Sequence, residues 1–364
     1  MFGNKYFITV IFLFMTAYAV KAEIILQPYL QAMTPTSAYL LIESDSQSEI
    51  RVLYGKDENT SMFHNTNYFI KTTSKTPTYV HRIELDRLEP NTKYFYRVLQ
   101  EGMDTPLESF TTPAENEHIK VAVAGDSRSN PKIWKKTIDS IAAKNPNILV
   151  LTGDIAATPK YSSWKKEFFI PAFLNFAKST AFVNATGNHE DWNTNTKAFL
   201  QAPASPSGRQ EYFSFAIGNA LFVVLNNQFK INKGSPQYKF CEKVLKESDK
   251  QWKIVIFHRS AYVGGGHGEY TPMKLLAKNL FKKYGVTLAL SGHSHFYQRN
   301  SVDGVYHLTV AGGGAPLYSP KKKEYTQKSS RKHHYAIFEI NNNILNFTAY
   351  DLDGNIIDKF DIKK

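Results

Sequence analysis

The sequence predicts a mixed α+β protein in which a small β-sandwich precedes a larger layered α/β sandwich. Three observations predict it. Residues 23–112 hold only short β-prone runs separated by turn residues. From Ile119 onward, continuous apolar strands alternate with stretches of helical periodicity, and hairpins follow. Finally, Gly125-Asp126-Ser127-Arg128, Gly153-Asp154, Gly187-Asn188-His189-Glu190, His258 and Gly292-His293-Ser294-His295 each sit just past one of these apolar runs. A parallel sheet delivers such groups to one edge, where ligand sites of open α/β sheets form.

The chain has 364 residues, of which 42% are hydrophobic, enough for two domains with sizeable cores. Residues 1–22 are set apart. Lys5 supplies a positive start, Tyr6 to Val20 is apolar, and Val20-Lys21-Ala22 suits cleavage. This is the pattern of a secretory signal peptide, and the apolar run is shorter than the roughly 18 residues of a membrane span. The expected location is secreted or periplasmic. No later segment is long and apolar enough to span a membrane, and no cysteine near the junction offers a lipid anchor. With Cys241 the only cysteine, no intrachain disulfide is available despite export. Cys241 falls in a helical pattern and is expected to be a buried small apolar residue.

Charge is unevenly spread. Residues 23–112 carry 8 Lys+Arg against 12 Asp+Glu, and residues 113–364 carry 34 against 20. A basic second domain steers anions toward itself, although a plain soluble basic surface has the same composition. No nucleic-acid-binding motif accompanies the scattered lysines. Lys321-Lys322-Lys323 is expected to be a solvated loop.

In the first unit, strands are expected near Ala38–Ser44, Glu49–Tyr54, Thr78–Leu85 and Tyr94–Leu99, with Phe110-Thr111-Thr112-Pro113 as last strand and exit. The stretch Leu88 to Tyr96 has the shape of a tyrosine corner. In the second unit, Ile119–Ala124, Asn147–Thr152, Ala181–Ala185, Trp252–Phe257 and Val286–Leu290 read as buried strands. Pro131–Lys144, Gln237–Glu247 and Thr271–Tyr284 read as helices, and Tyr212–Ile217 with Ala220–Leu225 as a hairpin around Gly218-Asn219. The tail returns to strands at Tyr306–Ala311, His334–Ile340, Ile344–Tyr350 and Ile356–Asp361, with turns at Asn341-Asn342-Asn343 and Asp353-Gly354-Asn355.

Carboxylates, an amide and imidazoles converging on one edge suit hard or borderline divalent cations. A lone Gly-Asp says little, since aspartate after a strand commonly caps a helix. The ordered set of five motifs says much more. It resembles the calcineurin-like metallophosphoesterases, and more closely the purple acid phosphatase branch. Gln27-Pro28-Tyr29-Leu30-Gln31 ahead of a fibronectin III-like sandwich, the Gly187-Asn188-His189-Glu190 form of the third motif, and the closing strands from His334 to Phe360 carry that closer resemblance.

The resemblance implies a fibronectin III-like domain at 23–112 and a four-layer α/β/β/α phosphoesterase domain at 117–364. It implies two divalent ions, with Mn, Fe and Zn all compatible. Asp126 and His295 would hold the first ion, Asp154 would bridge both, and Asn188, His258 and His293 would complete the second. Two positions depart from the pattern. Arg128 stands where the broader family often has a histidine ligand, and Ala157 stands where purple acid phosphatases have a tyrosine ligand. The first ion would keep three protein ligands, and Fe(III) is not specially favoured.

The implied activity is hydrolysis of small phosphate monoesters by hydroxide generated between the two ions. His189 would protonate the leaving oxygen, or alternatively orient a ligand. Arg128 would bind phosphate oxygens, or alternatively pair with a carboxylate. His267, in the flexible Gly264-Gly265-Gly266-His267-Gly268 loop, would contact substrate, with Tyr262 lining the cleft. Glu190 would be a structural hydrogen-bond acceptor. A phosphodiesterase or nucleotidase on the same scaffold is the alternative, as is a non-catalytic binding protein with a degraded centre. Oligomeric state is not legible.

Overall fold

The computed structural model describes residues 23–364 apart from 48, 60, 61, 67, 68, 101, 102, 116 and 117. The expected signal peptide lies outside them. Two large sheets stack face to face. The first has ten strands in the order Ile356–Lys363, Ile344–Asp351, His334–Asn341, Ile119–Ala124, Ile148–Leu151, Ala181–Asn184, Ile24–Gln31, Ala38–Ser44, Tyr79–Leu85, Phe69–Lys71. The second has seven, in the order Phe213–Ile217, Ala220–Val224, Trp252–Ile256, Leu288–Ser291, Val305–Val310, Tyr297–Val302, Thr326–Ser330.

Both sheet faces are covered, which explains the unbroken apolar runs. Along Ile119–Ala124 and Ile148–Leu151, Val121, Val123 and Val150 point inward to meet Phe222, Ile254 and Leu290 of the second sheet. Their neighbours Ala122, Ala124, Leu149 and Leu151 face outward, against Trp134, Ile138 and Ile141 of the helix Pro131–Ala142. Val223, Val255 and Ala289 face the opposite way, packing with Cys241, Val244, Leu276 and Leu280 of the helices Pro236–Glu247 and Thr271–Leu280. The result is helix, sheet, sheet, helix.

The helix Pro131–Ala142 starts where the chain dictates: the Asn130 side chain accepts from Ile133 N–H at 3.2 Å, and Pro131 occupies the first turn. It and the helix Thr271–Leu280 stop two and four residues earlier than expected, in turns leading to Asn145 (φ 49°) and Gly285 (φ 69°).

A five-stranded sheet completes the N-terminal sandwich, with Leu40 and Ile42 packed against Val52, Tyr94 and Phe110. The tyrosine corner is present: Tyr94 Oη accepts from Glu89 N–H at 2.9 Å. The proposed units 23–112 and 117–364 share one sheet, because Ile24–Gln31 pairs in parallel with Ala181–Asn184 through Gln31 and Phe182. Gln31 also bonds Phe199 O at 2.8 Å and Gln201 N at 2.6 Å.

Several elements had no sequence signal. Tyr297–Val302 is strongly polar, yet its Gln298 and Asn300 are fully buried because they tie down neighbouring backbone. A π-helical turn, Trp164–Phe168, interrupts the helical region that runs to Ala177.

Candidate metal centre

Each parallel strand ends in a loop that turns a polar side chain over the sheet edge. Asp126, Asp154 and His293 adopt left-handed backbone, with φ of 53°, 54° and 70°. Asp and His tolerate this region better than most residues, and such conformers gather at functional sites. The loops brace one another: Asp126 N–H bonds Gly153 O at 2.8 Å, and His293 N–H bonds Asp126 Oδ2 at 3.0 Å. Gly187 approaches so closely that a Cβ there would lie 2.1 Å from Asp154 Oδ1.

Two groups of potential ligand atoms result, and Asp154 belongs to both. Asp154, His258 and His293 form one, and Asp126, Asp154 and His295 the other, with the atoms of each group within 4.8 Å of one another. The imidazoles are aimed by their far nitrogens. His258 Nδ1 donates to Thr152 O at 2.8 Å, and His295 Nδ1 donates to Pro316 O at 2.7 Å. Their Nε2 atoms therefore face the carboxylates, 3.2 Å from Asp154 Oδ1 and 3.3 Å from Asp126 Oδ1. Nδ1 of His293 lies 3.2 Å from His258 Nε2.

The electrostatics follow from burial in a crowded site. Burial disfavours charge on Asp154, but His258 and His189 hold its carboxyl well below the usual range. Burial likewise works against charging His258, yet Asp154 prevails and raises the imidazole to about 9. His293 is pushed down to about 2 by burial and by His258 and His267. Burial and the Asp154 charge lift Glu190 to about 7. Glu190 sits beneath the centre, where its Oε1 accepts from Gly187 N at 2.8 Å and Asp154 N at 3.1 Å.

The residues fit a pair of divalent ions. Among the described residues, Asn188 Oδ1 and His295 Nε2 are buried with no hydrogen-bond partner, an arrangement that costs ~1–3 kcal/mol unless another group satisfies them. Oxygen and imidazole donors suit Mn, Fe or Zn alike.

The flanking residues sort differently. Arg128 Nε lies 3.5 Å from Asp154 Oδ2. His189 Nδ1 donates to Ala157 O at 2.8 Å, and its Nε2 stands 3.8 Å from Asp154 Oδ2. His267 stacks on His293 with ring centroids 4.2 Å apart. Its loop is pinned rather than flexible: Gly264 N–H bonds Gln298 Oε1 at 2.7 Å, and Gly264 O accepts from Lys321 N–H at 2.8 Å. Tyr262 does not line the cleft. It is buried, packed on His307 and Tyr325 behind the sheet. Tyr318, unforeseen, stacks on His295 at 4.4 Å and meets His267 edge-on at 5.1 Å. Its placement depends on a long loop, which leaves no local sequence signal.

Comparison with known proteins agrees with this geometry. Residues 119–297 match the family described as calcineurin-like phosphoesterase, and residues 27–112 match the purple acid phosphatase N-terminal domain. Purple acid phosphatase 21 of Arabidopsis thaliana is 26% identical, over 72% of this chain and 65% of its own. Probable inactive purple acid phosphatase 1 of the same plant is 25% identical, over 80% of this chain and 58% of its own. The chain thus spans about three-fifths of the length of these curated relatives. A purple acid phosphatase from yellow lupin (Lupinus luteus) seeds superposes with a TM-score of 0.80 at 20% identity, covering 92% of this chain and 74% of that one. The chain thus carries a calcineurin-like phosphoesterase domain behind a purple acid phosphatase N-terminal domain.

Proposed function

We propose that the protein is an exported, metal-dependent phosphoesterase acting on small phosphate monoesters. The observation that carries this reading is the pair of Asp/His groups sharing Asp154. Asp126, Asp154 and His295 would hold one divalent ion, and Asp154, Asn188, His258 and His293 the other. When bound, the ions supply positive charge that draws electron density from the phosphoryl group, and a water acidified toward neutral pH.

The chain's own residues do the rest. Arg128 presents a planar fork beside Asp154 and binds phosphoryl oxygens. The Ala157 carbonyl holds the Nδ1 proton of His189, so in the imidazolium form the Nε2–H faces the site. That proton passes to the departing ester oxygen, a step worth typically 10²–10⁴-fold. His267, held by its stack on His293, adds a polar contact for substrate. Export rests on residues 1–22; among the described residues no helix is long and apolar enough to cross a membrane.

The test is metal-dependent release of an aryl alcohol from its phosphate monoester, abolished in Asp154→Ala and His293→Ala. His189→Ala should lower kcat at least ~100-fold with both ions retained. Comparing the matching diester separates a monoesterase from a diesterase or nucleotidase. A non-catalytic protein is the second reading. It is favoured by Arg128 and Ala157 standing where ligands are expected, and by a relative described as probably inactive. No turnover with Mn, Fe or Zn between pH 5 and 9 would establish it.

A further inference from the structure

The π-helical turn Trp164–Phe168 carries a carboxylate that reaches the site. The turn is firmly seated. Trp164 and Phe168 are fully buried among aromatic rings, and Phe169 N–H bonds Trp164 O at 2.9 Å. Lys165 Nζ lies 2.8 Å from Oε2 of Glu43, a fully buried carboxylate on the strand Ala38–Ser44. From this base Glu167 extends the other way. Its Oε2 accepts two backbone N–H groups, from Ser129 at 2.7 Å and from Ala157 at 3.1 Å. Ser129 follows Arg128 and is held in left-handed backbone, with φ of 73°. Ala157, three residues past Asp154, is also the residue whose carbonyl holds His189 Nδ1. One carboxylate oxygen therefore ties together the loops bearing Arg128, Asp154 and His189. Hydrogen bonds to an ionised acceptor are stronger than neutral ones, and π turns recur at functional sites.

We propose that Glu167 is a positioning residue, setting the separation of Arg128 and His189 across the face where the ester binds. The proposal rests on the phosphoesterase reading above. Removing Glu167 leaves every candidate metal ligand in place but frees Ser129 and Ala157, so Arg128 and His189 lose their common reference. Residues that orient a catalytic shell this way typically matter by 10- to 100-fold.

The test uses the full mature chain with Glu167→Ala, Glu167→Gln, His189→Ala and the Glu167→Ala/His189→Ala double variant. On an aryl phosphate, Glu167→Ala should lose roughly 10- to 100-fold in kcat/KM while keeping two ions per chain. Glu167→Gln, which retains an oxygen acceptor, should recover to within about threefold. In the His189→Ala background, Glu167→Ala should cost several-fold less than in the wild type, because one of the two groups it places is gone. Equal losses in both backgrounds, or no rescue by glutamine, would overturn the positioning role. A second measurement needs no turnover. The Kd for inorganic phosphate of the metal-loaded protein should rise about tenfold in Glu167→Ala and not in Glu167→Gln. An unchanged Kd overturns the proposal. An inactive wild type that still shows the shift in Kd defeats only the phosphoesterase reading.

Discussion

Asp154 and His258 meet at 3.2 Å inside the centre, the carboxylate 1% exposed and the imidazole not at all. Burial alone would keep the imidazole neutral, but Asp154, aided by Asp126 and Glu190, raises it to about 9. A raised folded pKa gives stability that is complete below the unfolded value of about 6.5 and is lost as pH climbs through the folded one. The chelated protein should therefore lose on the order of 3 kcal/mol between about pH 6.5 and 9. Thermal unfolding of chelated wild type and His258→Asn checks this. The variant should show a clearly smaller fall in Tm across that window, with a residual loss near its lower end from Glu190, which is raised to about 7. Metal-loaded wild type should likewise fall less, because the cation replaces the proton.

Chelation itself should destabilise the fold. Asn188 Oδ1 and His295 Nε2 are buried without hydrogen-bond partners among the described residues, so an ion binds the folded chain far better than the unfolded one. At a hundredfold excess over Kd this contributes ~2.7 kcal/mol. Calorimetry at pH 7 should show Tm falling by roughly 3–5 °C on chelation and recovering when Mn or Zn is restored.

Gly187→Ala should dismantle the centre by sterics alone. The new methyl would lie 2.1 Å from Asp154 Oδ1 and 2.3 Å from Asp154 N, backbone that cannot swing aside. Moving the shared carboxylate by even ~1 Å predicts a loss of about 10²-fold or more in kcat/KM. Metal analysis should find fewer than two ions per chain.

Gly264→Ala should act on substrate rather than on metal. Its methyl would lie 2.0 Å from Lys321 O, unpinning the loop that holds His267 against His293. KM should rise about tenfold with kcat within threefold, since a lost ground-state contact weakens binding more than turnover. Two ions should remain bound.

The candidate ligands were legible because each follows a strand buried on both faces. Such a strand has a plain apolar signature, and its end must lie at the sheet edge. Asp126 after Ile119–Ala124 and Asp154 after Ile148–Leu151 are the clearest cases. Residues that act through irregular backbone were not legible. Glu167 sits in a π turn, whose wider spacing breaks the helical periodicity that would mark the segment. Tyr262 packs behind the sheet rather than in the cleft, and chain proximity to His258 does not say which side of the sheet a ring takes. The expected flexibility of the His267 loop followed from its glycines. The buried Gln298 that anchors it lies on a polar strand with no sequence signal.

Sharing of Asp154 between two cations is tested directly by anomalous diffraction at metal absorption edges. Crystals of the mature protein should show two peaks roughly 3.5–4 Å apart. One should touch Asp126, Asp154 and His295, and the other Asp154, Asn188, His258 and His293. No peak, or a single peak that Asp154 does not touch, would contradict it.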